Sequence, residues 1–219
     1  MHRRRRTAVT VSAVALLAGA PLLTACGGDA HPGAAAVVGG QRITVAQLES
    51  RVNEVRSAQR NGTANQEQYD QVVAKSGGLT RSTLHTMVLD KVLDRAAEDA
   101  GVSVSRKEIQ ALRGNLEKQA GGSKALQAAW LQQYNVPPSR LDANLRTEVE
   151  AQKLAQALGI DMNTTEGQAV FWNALGKASK ELSIDLNPRY GAWDVKKSAR
   201  VDAKMPWLHE VSASQPTEA

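Results

Sequence analysis

The stretch Ala35-Ala36-Val37-Val38-Gly39-Gly40-Gln41-Arg42-Ile43-Thr44 decides how the folded part of this chain begins. Two short apolar pieces flank a Gly-Gly pair, the pattern of a small strand with a tight turn. At Thr44 the period changes. Gln47, three residues on, completes a capping box, and Val45, Leu48, Val52 and Val55 recur at helical spacing to about Arg60. The reverse change comes late in the chain, where Val170, Phe171, Leu175, Ala178 and Leu182 form a helical stripe after Thr165 and Leu182-Ser183-Ile184-Asp185-Leu186 then alternates as a strand does. Strands this short are not stable alone and need a partner and a helix to cover them. The sequence therefore predicts that residues 36–43 pair with residues 183–190, giving a mostly α domain over 35–195 with a small two-stranded sheet joining its N- and C-terminal segments.

Between these ends the pattern is helical. Leu84, Met87, Val88, Leu93, Ala96 and Ala97 mark a long helix from Thr80 to Gly101, and residues 66–75 read as one or two further turns. Ser105 and Glu108 form a second capping box ahead of Ile109, Leu112 and Leu116, with Gly121-Gly122 as the stop. Leu126, Trp130, Leu131 and Tyr134 make the next helix, halted before Pro137-Pro138, and Leu141, Leu145, Val149 and Leu154 the one that Ser139 opens. Aromatic residues make up only 4% of the chain, so the core must be built from Leu, Val, Ile and Ala, which suits packed helices better than a sandwich.

The net charge of +5 is concentrated in one place. Arg3, Arg4, Arg5 and Arg6 precede an apolar run from Thr7 to Leu23 that ends in Leu23-Thr24-Ala25-Cys26. A basic segment followed by a short apolar one is the pattern of a secretory leader, and the last four residues match the bacterial lipobox, after which the cysteine is cut free and lipidated. Residues 1–25 thus read as a lipoprotein signal peptide, with Cys26 as the lipidation site and residues 26–34 as a glycine-rich tether to an extracytoplasmic membrane face. Removing the four arginines leaves a net charge of about +1, which withdraws support for nucleic-acid binding. Lipidation also uses the only cysteine, leaving no disulfide and no thiol nucleophile.

A strand turning at Val38-Gly39-Gly40 into an Ile43-Thr44-capped helix resembles the N-terminal domain of the SurA/PrsA family of extracytoplasmic chaperones. Leu186-Asn187-Pro188-Arg189-Tyr190-Gly191 is similar to the closing strand of SurA-like bacterial lipoproteins. The resemblance runs from about Ala35 to Asp194 as an order of elements, and this chain has Gly39 where the family usually has Asn. Foldases of the family insert a parvulin domain of roughly a hundred residues before the closing helix, whereas here Gly159 passes almost directly into that helix. The resemblance implies the chaperone scaffold without its isomerase.

No catalytic constellation competes with that reading. The histidines are His2, His31, His85 and His209, which form no metal-ligand spacing, and no Gly-x-Ser-x-Gly or Ser-x-x-Lys occurs. Gly176-Lys177 fails as a phosphate loop because Phe171 and Ala178 stand where glycine and a hydroxyl are needed. Asp90 and Asp94, one turn apart, read as a solvated helix face. The sequence thus implies no enzyme, no cofactor and no metal. Trp130, Tyr134, Trp172 and Trp207 are the candidate peptide-binding residues. Trp130 and Tyr134 share a helix face, Trp172 sits beside the core residue Phe171, and Trp207 lies in Met205-Pro206-Trp207-Leu208, an apolar island in an irregular tail at 196–219 that can dock back or meet a partner. The expected function is binding of unfolded or extended polypeptides near the membrane as a non-catalytic chaperone or secretion factor. The alternative is an accessory lipoprotein with one dedicated envelope partner.

Overall fold

The computed structural model describes residues 32–203. The leader, Cys26, most of the tether, and the tail from residue 204 with Trp207 lie outside the described residues. The Gly-Gly pair makes the hairpin that the sequence predicts. β1 (Ala34–Val38) turns at Gly39 and Gly40, with φ of +57° and +74°, into β2 (Gln41–Thr44). Two left-handed residues in succession give the turn whose twist matches that of the strands it joins. Val38 faces Gln41 and Ala36 faces Ile43 across this hairpin.

Thr44 then caps α1 (Val45–Asn61). Its hydroxyl accepts from Gln47 N at 3.1 Å while Gln47 Oε1 accepts from Thr44 N at 2.8 Å. α2 (Gln66–Lys75) and α3 (Leu79–Asp99) follow, then α4 (Arg106–Ala120), capped by Ser105 and Glu108 as read from the sequence. α5 (Ser123–Tyr134) ends on a left-handed Asn135, and a 3-10 turn at Pro138–Arg140 leads into α6 (Leu141–Ala157). α7 (Thr165–Glu181) returns the chain to the sheet.

β3 (Asp185–Leu186) pairs antiparallel with β1, setting Ala36 opposite Leu186 and Val37 opposite Asp185. The two ends of the domain therefore meet where the alternating pattern predicts. They meet in a three-stranded sheet of order β2-β1-β3, one strand more than expected, because both arms of the opening hairpin persist. Ala34, Ala35 and Ala36 have no exposed surface. β1 is thus a central strand whose methyl side chains let α1 and α3 pack close to it.

α3 is the spine. At 1.5 Å per residue its 21 residues extend about 30 Å, long enough to serve two buried clusters. Leu84 and Val88 join Val38, Ile43, Leu48 and Leu186 beside the sheet, while Val92, Leu93 and Ala96 join Leu154, Phe171 and Leu175 at the other end. A third cluster of Leu126, Leu141 and Leu145 fills the space between α4, α5 and α6. Aromatic poverty is met as expected: of these three sets, only Phe171 and Tyr190 bring an aromatic ring to the fully buried core.

Three readings of the sequence change. Residues 66–75 form a complete helix, capped by the Asn65 side chain accepting from Gln68 N. The strand expected through Asn187 and Tyr190 stops at Leu186, because Pro188 lacks an N–H and Asn187 Oδ1 accepts from Arg189 N, which bends the chain into a 3-10 turn at Pro188–Tyr190. The first part of the stretch expected to be irregular from Lys196 is ordered. β4 (Ala192–Asp194) pairs with β5 (Ala199–Val201), and the crossing is close enough that a Cβ on Gly191 would meet the Val201 carbonyl oxygen.

Candidate functional site

A groove of about 160 Å³ lies between α1, α3, the end of α5 and α6. Its α3 wall is a line of short side chains at helical spacing: Leu79, Ser82, Thr83, Thr86 and, on the floor, Asp90. Tyr134, Val136 and Pro137 form an apolar rim, and Ala143, Asn144 and Thr147 of α6 close the far side. This combination of apolar rim and hydroxyl-bearing wall suits an extended chain, whose side chains need burial and whose unpaired backbone groups need donors and acceptors.

Polar ties fix the spacing of the walls. Arg140 grips Glu54 of α1 through two bonds, Nε to Oε2 at 2.7 Å and Nη2 to Oε1 at 2.8 Å. That fork geometry specifies orientation as well as energy, and the bond to Arg140 holds the Glu54 carboxyl below its ordinary range. The buried Gln59 donates to Asn135 Oδ1 at 3.0 Å, tying the end of α1 to the left-handed residue that ends α5. Trp130 Nε1 donates to Asn144 Oδ1 at 3.0 Å and joins α5 to α6. Its ring meets Tyr134 edge-on with centroids 5.5 Å apart, so half-buried Trp130 backs the rim while Tyr134 stays 54% exposed.

Asp90 departs from the solvated face expected of it, whereas Asp94 beside it stays 44% exposed. α6 covers this part of α3, and Arg146 reaches Asp94 at 2.8 Å and Glu150 at 3.2 Å. Burial, then the neighbouring Asp94, pushes Asp90 up to about 6, against the pull of Arg51, Arg146 and the Thr147 hydroxyl. Glu150 is only 4% exposed, and burial together with Asp94 pushes it up to about 7. Three carboxylates therefore share one interface with a single directly paired arginine. Among the described residues, no group of three or more His, Cys, Asp or Glu is arranged to hold a metal ion.

The other candidates are placed apart. Trp172 is 43% exposed on α7, edge-on to Phe171, which is 7% exposed and part of the core. Trp193 is half-buried, lies 5.6 Å from the ring of His85 and donates to Ser179 Oγ at 3.3 Å. Of the four candidate peptide-binding residues, the structure places Tyr134 on the groove rim, Trp130 behind it against the α4–α6 cluster and Trp172 on another surface, while Trp207 lies outside the described residues. Sequence reasoning missed Arg51, Arg140 and the hydroxyl line of α3. The line was visible as Ser82, Thr83 and Thr86 at spacing three and four, but nothing in the sequence says which helix faces it.

A family model described as the SurA-like N-terminal domain matches residues 2–155. The chain belongs to the SurA-like N-terminal domain family. No curated protein and no solved structure matches it. The matched part of this SurA-like domain reaches into α6 and so contains every residue that lines the groove, whereas α7 and β3 to β5 follow it. Membership points to a chaperone-type role.

Proposed function

We propose that this SurA-like domain binds extended segments of unfolded polypeptide in the groove between α1, α3, α5 and α6, without catalysis. The observation that carries the reading is the pairing of an exposed aromatic rim at Tyr134 with a wall of hydroxyls and a packed, tied frame, all inside the family match. An apolar client side chain seats against Tyr134, Val136 and Pro137. The Ser82 and Thr86 hydroxyls donate to the Leu79 and Ser82 carbonyls and keep lone pairs to accept from client N–H groups, and the Asn144 amide nitrogen can donate to client carbonyls, whatever the client's sequence. At roughly 25 cal/mol per Å², a patch that takes one or two side chains gives weak, exchangeable binding, as holding rather than storing a client requires. Trp172 offers a second exposed aromatic surface on α7, independent of the groove.

The lipobox supports a location at an extracytoplasmic membrane face, with Cys26 as the anchor. Two or three acyl chains hold a protein to a bilayer stably where one does not. Cys26→Ser is expected to abolish lipid labelling in cells, and unchanged labelling would remove the anchor from the account. The binding reading is tested by pull-down from solubilised membranes and a peptide array. A broad profile of apolar segments is the expected result, whereas a single stoichiometric partner would favour an accessory lipoprotein.

A further inference from the structure

β5 does not leave the domain at a neutral place. It lies along α3, where Arg200 N donates to His85 Nδ1 at 3.4 Å, and Arg200 Nη1 pairs with Asp202 at 2.9 Å. Asp202 in turn lies within electrostatic reach of Arg81. The chain thus runs from His85 toward Arg81, against the direction of the helix, and arrives next to the groove wall. At about 100° per residue, Thr83 and Thr86 lie roughly 140 to 160° around α3 from Arg81 on a cylinder of roughly 10 to 12 Å diameter. The path over the helix surface to the groove is therefore about 13 to 15 Å.

The sequence that follows Ala203 carries one apolar island, Met205-Pro206-Trp207-Leu208, among polar and small residues. At about 3.3 Å per residue, the two to five residues from Ala203 to the island's ends span roughly 7 to 17 Å, and Trp207, four residues on, is reached at about 13 Å. The reach matches the path. Pro206 has no N–H to satisfy, and one tryptophan is a suitable occupant for an opening of about 160 Å³ edged by Tyr134, Val136 and Pro137.

We propose that residues 205–208 dock in the α1–α3–α6 groove with Trp207 against the Tyr134 rim, so that the chain carries its own occupant, which a client must displace. The proposal rests on the groove being the client site, and the test separates the two. In the full chain, Trp207→p-benzoylphenylalanine is irradiated, and monomer-sized cross-linked products are mapped by mass spectrometry. Cross-links into residues 79–90 or 134–147 are expected; cross-links confined to other parts of the chain or to other molecules, or none, would overturn the docking. In parallel, binding of reduced and alkylated lysozyme is measured for the full chain and for Trp207→Ser, which leaves every described contact in place. Affinity should rise about three- to tenfold in the variant, and unchanged affinity in a protein that does bind the probe would also overturn the docking. Groove cross-links with no lysozyme binding by either protein would keep the docking and remove the client reading.

Discussion

At Gly39 the backbone is left-handed, with φ of +57°, and a Cβ there would come within 2.9 Å of Leu182 Cδ2. Glycine and asparagine tolerate that conformation best, which gives a physical reason why a position usually filled by Asn in similar chains accepts Gly here. Gly39→Asn should cost less than about 1 kcal/mol, because only the end of a flexible side chain must give way. Gly39→Val should cost about 2 kcal/mol or more in urea denaturation, since a branched side chain is forced into a region it avoids. Equal losses would mean that the turn is not set by this residue. The two aromatic residues of α5 separate in the same way. Trp130 packs against the Leu126, Leu141 and Leu145 cluster and bonds to Asn144, so Trp130→Ala should cost about 3 kcal/mol. Tyr134 is mostly exposed, and Tyr134→Ala should cost less than about 1 kcal/mol while weakening client binding. A glycine turn and an aromatic pair on one helix face were legible in the sequence because each depends on neighbours within four residues. Which aromatic side chain lines a cavity was not, because that depends on where α6 comes to rest.

Among the elements, the α3–α6 interface is the one whose stability should respond to mild acid. Asp90 and Glu150 hold protons in the folded state up to about 6 and about 7, whereas ordinary unfolded carboxyls release them near 4. Between roughly pH 4 and 7 the folded state thus binds more protons than the unfolded one, and stability falls as pH rises through that window. Paired carboxylates elsewhere act oppositely. Glu108 is held down at about 2 by Lys153 and by Ser105, and the stability it gives is lost only at pH below the ordinary carboxyl range. The profile should therefore peak under mildly acidic conditions. Asp90→Asn keeps a hydrogen-bonding side chain beside Thr147, removes the ionisation, and should raise stability by about 1 to 2 kcal/mol at pH 7.5, by roughly half as much at pH 5 and by little at pH 3.5, as read by thermal melts. A variant that is destabilised equally at pH 7.5 and pH 3.5 would show that Asp90 acts through packing alone. Capping boxes at Thr44 and Ser105 told where α1 and α4 start, since a cap is a local device. The burial of Asp90 was hidden because one turn of helix looks the same whether water or another helix covers it.

The described domain is closed where its first and last strands meet. Gly39 N donates to the Leu182 carbonyl at 2.6 Å, Asn187 N to the Ala35 carbonyl at 3.0 Å, and Asn187 Nδ2 to the Ala34 carbonyl at 3.2 Å, so the last helix and strand complete what the first strand begins. Removing everything after Leu182 strips β1 of a neighbour and takes Leu186 and Tyr190 out of the cluster beside the sheet, uncovering the Val38, Leu84 and Val88 they pack with. The truncated chain should unfold or aggregate, and an unchanged circular dichroism spectrum and melting midpoint would contradict this closure. The meeting of the two ends was legible because the hydrophobic period switches between helix and strand at both. The pairing of β4 with β5 was not, since Gly191 and a short charged stretch signal a close crossing only once the partner strand is known. The central claim is that the groove rimmed by Tyr134 is where an unfolded chain is held, and aggregation of reduced lysozyme followed by light scattering tests it most directly. Wild-type protein and Trp172→Ala should suppress scattering alike, and Tyr134→Ala, folded and equally stable, should lose most of the protection; suppression that survives Tyr134→Ala and disappears with Trp172→Ala would contradict the account.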